Sequence, residues 1–487
     1  MNTTVEQLRL SNDFWKYFFD ICSIPHPSGY EAQLRGFLLH KAEQSNLSCR
    51  VDSAGNLAID RAAAPGCEKF PTIILQAHLD MVPQKAPGVE FDFLRDSIVP
   101  VIEDEWVTTG GKTTLGADDG MGVALAMELL TDRTLRCGAL RALFTVSEET
   151  GLGGAENMDR SFLEADVLLN LDSDEPFTIG CAGGVRLVGC ADLAMRKASL
   201  NTVGVEFALK GMRGGHSGVD IHLPLGSACC VINEFLRGLP GVEISTLHAG
   251  TLSNAIAREA VAVTALPAAA LSDLERKLSD FNKHLNQIYT PADGEQIVLS
   301  AKVLPEVPGK VLESATQERL LDMWSKLPHG LLESTPDGKS VTSCNLAVVD
   351  GQENGEWSFI LHPRSLYNEQ RKDVSSRAAE LLQSFGFSVA ADSEYSSWRP
   401  QWDSPLLAYA CKIYEELSGQ PARKYVIHGG LEPGLFCGMN PTLQMLSFAP
   451  ITRAVHSPQE KLNIPDVERS RRLLRVLLER ANELQSK

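Results

Sequence analysis

Apolar side chains recur at helical spacing near the two ends of the chain. Residues 14–22 predict one helix, and Ser28 and Glu31 form a capping-box pattern that opens a second helix, reaching about Asn46. The final segment, from Asp466, places leucines on one stripe, as expected for a helix packed on a core. These segments predict scaffold helices.

Short apolar runs without helical spacing lie between these helices, and each ends in polar residues. The run 71–78 ends in His78, the run 142–147 leads into a pair of glutamates, and the run 166–172 ends in Asp172. Strands that alternate with helices predict a largely parallel sheet, and open α/β folds bind ligands at the carboxyl ends of such strands. We therefore expect these polar residues to converge on one crevice.

The pattern changes after the glycine-rich segment that ends at Gly184. From there, strands and helices alternate in a way that is compatible with an antiparallel sheet covered by helices on one face. At 487 residues the chain is long enough for two or three domains. We expect a discontinuous three-layer α/β catalytic domain at 1–185 and 398–487, with an α+β lid and dimerisation domain inserted at 186–397.

Composition excludes several classes of protein. A formal net charge of −17 disfavours nucleic acid and anionic membranes as partners, and no apolar run is long enough to predict a membrane span. The first residues lack the pattern of a secretory signal, so we expect a cytoplasmic protein. The 11 cysteines, without C-x-x-C pairs, favour reduced thiols over a disulfide framework or a thiolate zinc site.

Three short motifs carry candidate chemistry. His78 and Asp80 form an H-x-D pair, Asp118 adjoins a second Asp between glycines, and Glu148 precedes Glu149. Each has a simpler interpretation: a loop histidine, an acid that favours a helix start, or a glutamate pair at a solvated edge. The alternative is a metal ligand in each motif, with one of the glutamates acting as a base.

Taken together, five residues offer two imidazoles and three carboxylates: His78, Asp118, Glu149, Asp172 and His456. Such a ligand set suits two zinc-like ions that share one bridging carboxylate. The stretches HLDMVP, GADDG, SEETG, NLDSD and HSP resemble, in this order, the zinc aminopeptidase, carboxypeptidase and dipeptidase family that includes aminoacylases. The resemblance covers essentially the whole chain. Many members have Lys two residues after the Asp pair begins (D-x-K-G), whereas this chain has DDGM, as in the bacterial branch that acts on Xaa-His dipeptides.

The resemblance implies a metallopeptidase with two Zn²⁺ ions per subunit, for which Co²⁺ or Mn²⁺ could substitute. The implied ligands are His78 and Asp172 on one ion, Glu149 and His456 on the other, and Asp118 on both. Asp80 would orient His78, and Glu148 would be the general base for a metal-bridging water. No nucleophile elbow of the G-x-S-x-G type is present.

The resemblance also implies a homodimer and three residues of the inserted domain that contact a small dipeptide substrate. His216 would hydrogen-bond the substrate carbonyl from a partner subunit, Asn254 would contact substrate, and Arg364 would clamp its terminal carboxylate. Taken alone, His216 is typical of a surface histidine and Arg364 of a solvated loop arginine.

Two other functions remain open at this stage. An aminoacylase or other amide deacylase would use the same metal centre on N-acyl amino acids. A catalytically silent binding or scaffold protein would need the metal ligands but not a second acid, so the presence of Glu148 argues against it.

Overall fold

The computed structural model describes residues 4–173 and 177–484. Two compact units are present. The first comprises Met1–Cys181, Trp398–Val426 and Leu431–Lys487, and the second comprises Ala182–Ser397 and Ile427–Gly430.

The helices and strands are numbered in chain order. The helices are α1 Val5–Arg9, α2 Asp13–Cys22, α3 Ala32–Gln44, α4 Ala117–Thr131, α5 Gly153–Glu156, α6 Ala228–Arg237, α7 Leu271–Ile288, α8 Ser314–Lys326, α9 Asn368–Phe385, α10 Pro405–Ser418, α11 Glu432–Met439 and α12 Ile464–Glu479. The strands are β1 Ser48–Val51, β2 Leu57–Arg61, β3 Ile73–His78, β4 Val101–Glu103, β5 Trp106–Thr108, β6 Leu140–Thr145, β7 Val167–Asn170, β8 Thr178–Cys181, β9 Gly183–Asp192, β10 Met195–Lys197, β11 Thr202–Lys210, β12 Gly215–His216, β13 Glu243–Ala249, β14 Ala255–Ile256, β15 Ala260–Pro267, β16 Val298–Val303, β17 Lys310–Leu312, β18 Gly330–Ser334, β19 Ser340–Gly351, β20 Glu356–Ser365, β21 Ser388–Tyr395, β22 Tyr425–Ile427, β23 Gln444–Ser447, β24 Thr452–Arg453 and β25 Lys461–Asn463.

The first unit is built on an eight-stranded sheet with the order β1-β2-β6-β3-β7-β23-β8-β22. Its four central strands, β6-β3-β7-β23, are parallel, whereas β1, β2 and β8 join antiparallel. The prediction of parallel strands in a central sheet is therefore confirmed, with antiparallel strands at its flanks. The parallel strands end at one edge, so the residues that follow them are neighbours.

Helices cover both faces of this sheet. Leu75 belongs to a hydrophobic core that includes buried side chains of α2, α4, α10 and α12. Its neighbour Gln76 points to the opposite face, because side chains alternate along a strand, and there it bonds Glu432 at the start of α11. The unit is thus a three-layer α/β domain, as predicted.

The predicted capping box before α3 is wrong. The hydroxyl of Ser28 donates to Asp80 Oδ2 at 2.7 Å, and Glu31 Oε1 accepts from the backbone N–H of Gly29 and of Ser147. The helix begins only at Ala32, without a side-chain cap. Both side chains form tertiary contacts near the predicted site, and these contacts replace the local cap that the pattern indicated.

The second unit has an antiparallel sheet with the order β16-β11-β15-β13-β19-β20-β9-β21, to which β18 is added beside β19. Buried side chains of α6, α7, α8 and α9 form one hydrophobic cluster with the strands. This is the α+β module that the alternating pattern predicted. Among the described residues, no helix is both long and apolar enough to cross a bilayer.

Candidate metal centre

The five predicted metal ligands lie together in the first unit. Each comes from a different part of the chain. His78 ends β3, Asp118 lies near the start of α4, Glu149 follows β6, Asp172 follows β7, and His456 lies between β24 and β25. Ligand atoms of His78, Asp118 and Glu149 lie within 4.8 Å of one another. The sheet therefore brings together residues that are up to several hundred positions apart.

Asp118 lies between the two histidines. Its Oδ1 is 3.0 Å from His78 Nε2, and its Oδ2 is 3.2 Å from His456 Nε2. One carboxylate thus presents a different oxygen to each imidazole, which is the geometry that a carboxylate shared by two ions requires.

The other two carboxylates divide between the same two imidazoles. Asp172 Oδ1 lies 3.7 Å from His78 Nε2, and Glu149 Oε1 lies 2.9 Å from His456 Nε2. His78 and Asp172 thus lie on one side of Asp118, and His456 and Glu149 lie on the other, which is the division that the resemblance implies.

The backbone holds one ring nitrogen of His78, and the other nitrogen faces the carboxylates. Its Nδ1 is 2.9 Å from the backbone carbonyl oxygen of Asp80 and 3.6 Å from Asp80 Oδ1. When Nδ1 donates to this carbonyl, Nε2 is the nitrogen that faces the carboxylates, and it can bind a metal once it has lost its proton. The backbone of Asp80 therefore makes the short contact that the sequence analysis expected of its side chain.

The carboxylate of Asp80 instead holds the segment that carries the two glutamates. Its Oδ1 accepts from the backbone N–H of Glu148 at 3.0 Å, and its Oδ2 accepts from the backbone N–H of Glu149 at 3.2 Å. Burial opposes ionisation of Asp80, but the neighbouring His78 and the hydrogen bond from Ser28 contribute to lowering its pKa to about 2. Asp80 is therefore an anionic anchor for both glutamates.

Burial and mutual repulsion shape the charges of this cluster. Burial, followed by the nearby charge of Asp118, raises the pKa of Asp172 to about 7. Burial also raises the pKa of Glu148, and the charges of Asp172 and Glu149 add to this effect. Hydrogen bonds to Asp118 and Glu149 raise the pKa of His456 to about 11. Without cations these groups therefore retain protons, and divalent cations bound here would favour their release.

The donor set fits divalent ions of the zinc type. Two imidazole nitrogens and three carboxylates converge, and all of these are groups that Zn²⁺ accepts.

The neighbouring Asp119, to which the resemblance gives no metal role, also lies at this centre. Ligand atoms of His78, Asp119 and Asp172 lie within 4.8 Å of one another. Asp119 Oδ2 accepts from the backbone N–H of His78 at 3.2 Å, and its Oδ1 accepts from that of Gly122 at 3.0 Å. The peptide bond between Asp118 and Asp119 is cis.

Two buried glutamates near this centre were missed by sequence reasoning. Glu432 Oε2 accepts from Gln76 Nε2 at 2.5 Å and from the hydroxyl of Thr145 at 2.8 Å. Glu460 accepts four backbone hydrogen bonds from the segment that ends at Asp118. The signals available were a glutamate in the glycine-rich HGGLEPG stretch and one in HSPQE, and neither has a local partner.

The predicted lid residues belong to the second unit. His216 lies in the two-residue strand β12 and pairs with Ala255 of β14, so that it adjoins Asn254. The backbone N–H of His216 donates to Asp220 Oδ2 at 2.9 Å, and its side chain is exposed.

Arg364 is not a solvated loop arginine. It lies in β20, is 3% exposed, and donates to the hydroxyl of Tyr395. Two further buried histidines of the same unit, His362 and His428, are affected by its charge. Burial, followed by the charge of Arg364, lowers the pKa of both, that of His428 to about 3. A buried cation beside neutral imidazoles is suited to an anion.

Comparisons with known proteins identify the family of this chain. Residues 74–480 match the description "Peptidase family M20/M25/M40". The chain is 34% identical over 471 residues to the "Cytosol non-specific dipeptidase" of Escherichia coli (strain K12), covering 95% of this chain and 96% of that protein.

Solved structures show the same fold. The crystal structure of aminoacylhistidine dipeptidase from Vibrio alginolyticus is similar with a TM-score of 0.83 and 32% identity, covering 100% of this chain and 99% of the other. The aminopeptidase PepT from Bacillus cereus is similar with a TM-score of 0.57 and 16% identity, covering 96% and 98%. The family match over most of the chain, together with full-length relatives above 30% identity, shows that this chain belongs to peptidase family M20/M25/M40.

Proposed function

We propose that the protein is a dizinc metallopeptidase that hydrolyses dipeptides. The observation that carries this proposal is the position of Asp118, with one carboxylate oxygen facing His78 and the other facing His456. The names of the E. coli and Vibrio relatives, both dipeptidases, support the substrate class.

The metal ligands in this proposal are those expected from the sequence. His78 and Asp172 hold one ion, Glu149 and His456 hold the other, and Asp118 holds both. When bound, two divalent ions would polarise the scissile carbonyl and make water a stronger nucleophile near neutral pH. Zinc is the proposed metal, because imidazole and carboxylate ligands suit it, and Co²⁺ or Mn²⁺ could replace it.

Glu148 is the proposed general base. It follows β6 beside the ligand Glu149, and its backbone is held by Asp80. Its carboxylate takes a proton from the attacking water and passes it to the amine that leaves, so that the peptide bond breaks and no covalent enzyme intermediate is needed. Binding of cations at the adjacent ligands favours the ionised form of Glu148 that this step requires.

Arg364 is the proposed partner of the substrate's terminal carboxylate. Its guanidinium is buried and is fixed by Tyr395. The neighbouring histidines are uncharged, so they do not neutralise the guanidinium or repel an anion as carboxylates would. Asn254 and His216 are further proposed substrate contacts from the second unit.

The second unit is proposed to act as a lid and dimerisation domain. The family resemblance of the sequence implies pairing through the inserted domain, and on this ground we propose a homodimer in which His216 acts on the partner's substrate. The name of the E. coli relative, a cytosolic enzyme, supports a cytoplasmic location.

The decisive experiment is a substrate panel with purified protein. Xaa-His dipeptides, other dipeptides and N-acetyl amino acids are assayed with and without a chelator. We expect chelator-sensitive hydrolysis of dipeptides, with Xaa-His substrates among the best. Preferential hydrolysis of N-acetyl amino acids would instead identify an aminoacylase, and absence of chelator-sensitive hydrolysis on every substrate would contradict the proposed function.

A further inference from the structure

Glu460 lies at the end of the loop that carries His456, immediately before β25. Its side chain is buried, with the residue 2% exposed, although glutamate is seldom buried without partners. Its partners are backbone groups from a segment more than three hundred residues earlier in the chain.

Four consecutive backbone N–H groups donate to this one carboxylate. Glu460 Oε2 accepts from Leu115 at 2.8 Å and from Gly116 at 3.2 Å. Its Oε1 accepts from Ala117 at 2.8 Å and from Asp118 at 3.2 Å. Both oxygens are used, and the last donor is the backbone of the residue between the two predicted metal histidines.

The segment that donates these bonds opens α4 without a cap of its own. Gly116, at the N-cap position, has no side chain and a left-handed φ of 70°. A Cβ at this glycine would lie 3.0 Å from Met81 Sδ, and the left-handed φ would strain any residue that carries one. The first N–H groups of a helix need partners, and Glu460 accepts those of Ala117 and Asp118 from outside the helix, together with the two N–H groups that precede it.

The same glutamate is tied to His456 through its own loop. The backbone N–H of Glu460 donates to the carbonyl of Ser457 at 3.0 Å and closes a turn directly after His456. The side chain of His456 is 47% exposed, and its φ is positive, at 61°. Glu460 therefore joins the loop of His456 to the segment of Asp118.

We propose that Glu460 is a positioning residue that sets the spacing between the carboxylate of Asp118 and the imidazole of His456. This inference rests on the proposed metal centre, in which Asp118 is shared and His456 binds the second ion. The 3.2 Å between Asp118 Oδ2 and His456 Nε2 depends on two loops from opposite ends of the sequence, and the carboxylate of Glu460 connects them.

The test is Glu460→Gln, which preserves size and shape. A glutamine has one acceptor oxygen, so its NH₂ group would face two backbone N–H donors and two of the four hydrogen bonds would be lost. Dissociation constants for Zn²⁺ and Co²⁺ are measured by competition with a chelating indicator on protein first freed of metal. We expect binding to weaken by about 10- to 100-fold, the usual effect of removing an outer-shell partner of a metal ligand.

Glu243→Gln is the matched control. Glu243 is also a buried glutamate that accepts a backbone N–H, from Ser199 at 2.9 Å, but it lies in the second unit and pairs with Arg196. We expect this variant to lose thermal stability without a change in metal affinity. The melting temperature of each metal-free variant separates lost folding from lost metal binding.

Unchanged metal dissociation constants in folded Glu460→Gln would overturn the inference, and so would an equal loss of affinity in Glu243→Gln. If Glu460→Gln does not fold, Glu460→Asp is measured instead. It keeps the carboxylate but is one methylene too short to reach all four donors, so weakened binding supports the inference and wild-type binding overturns it. Failure of the wild-type protein to bind divalent ions would contradict the proposed function itself, which keeps the two failures distinct.

Discussion

The carboxylate of Asp80 accepts a hydrogen bond from the backbone N–H of Glu148, with Oδ1 and N separated by 3.0 Å. The same carboxylate accepts from the backbone of Glu149, so one anion fixes the proposed base and a proposed ligand together. The side chains of the two glutamates are therefore free for different tasks. A change to the side chain of Glu148 leaves this backbone anchor in place.

Glu148→Gln should retain its metals and lose turnover. General-base catalysis contributes about 10²- to 10⁴-fold, so we expect kcat to fall by at least roughly this factor. Steady-state kinetics and metal analysis on the same preparation measure the two effects separately. Glu156→Gln, an exposed glutamate nearby in α5, is the control and should behave as wild type. A Glu148→Gln variant of near wild-type rate would show that the base lies elsewhere.

Two divalent ions per chain are expected by elemental analysis of active protein. Chelation should abolish activity, and Zn²⁺ or Co²⁺ should restore it, because five ligands with one shared carboxylate exceed what a single tetrahedral ion uses. Asp118→Ala should lose both ions, since its two oxygens face both histidines. The exposed Asp337 offers a control substitution to Ala. One ion or none in fully active protein would contradict the shared carboxylate.

Metal affinity should increase as pH rises through neutrality. In the metal-free protein the pKa of Asp172 is raised to about 7 and that of His456 to about 11, so both groups retain protons that an ion must displace. Each proton released per ion makes the apparent affinity rise by about tenfold per pH unit. Calorimetric titrations in buffers of different ionisation enthalpy count these protons. Affinity independent of pH between about pH 6 and pH 8 would contradict this protonation of the ligands.

The raised pKa of Asp172 also makes the folding stability of the metal-free form depend on pH. The folded protein keeps the proton of Asp172 up to about pH 7, whereas the unfolded chain loses it near the ordinary pKa of aspartate. The contribution of Asp172 to the free energy of unfolding is therefore fully present below that ordinary pKa and is lost as the pH rises to about 7. Bound metal should remove this dependence. Unfolding by urea with and without Zn²⁺, over the same pH range, compares the two cases.

Arg364→Ala should abolish the preference for a free carboxylate on the leaving residue. A two-pronged hydrogen bond to a carboxylate, worth about 2 to 4 kcal/mol, gives roughly 30- to 1000-fold discrimination. We would compare kcat/KM for an Xaa-His dipeptide and its C-terminal amide. Arg364→Lys, which keeps the charge without the planar fork, should discriminate to an intermediate degree. Equal discrimination by wild type and Arg364→Ala would remove Arg364 from the substrate site.

The proposed dimer makes a prediction about mixed subunits. If His216 acts on the partner's substrate, inactive Glu148→Gln and inactive His216→Ala proteins should regain part of the wild-type activity when they are mixed and allowed to exchange subunits. The mixed dimer then contains one site with both residues intact. Light scattering gives the oligomeric state of each protein. A monomer at micromolar concentration, or no recovery on mixing, would contradict action across subunits.

The sequence by itself determined much of the chemistry. Apolar runs ending in His78 and Asp172 predicted strands. In the structure His78 ends β3 and Asp172 follows β7, at the same edge of the central sheet. The reason is that a buried strand and the polar residue after it are adjacent in the chain, so the pattern is local. The sequence also predicted that one sheet is largely parallel and the other antiparallel. Helices alternate with buried strands in the first unit and with half-buried strands in the second unit.

Only the tertiary structure decided how the site is held. Ser28 and Glu31 have the spacing of a local cap, yet Ser28 bonds Asp80 and Glu31 bonds Ser147. Glu460 anchors Asp118 across 342 positions, and no spacing rule connects a carboxylate to backbone N–H groups that far away. A hydrogen bond depends on the distance between its two atoms in the folded chain, whereas a sequence pattern reports only neighbours along it.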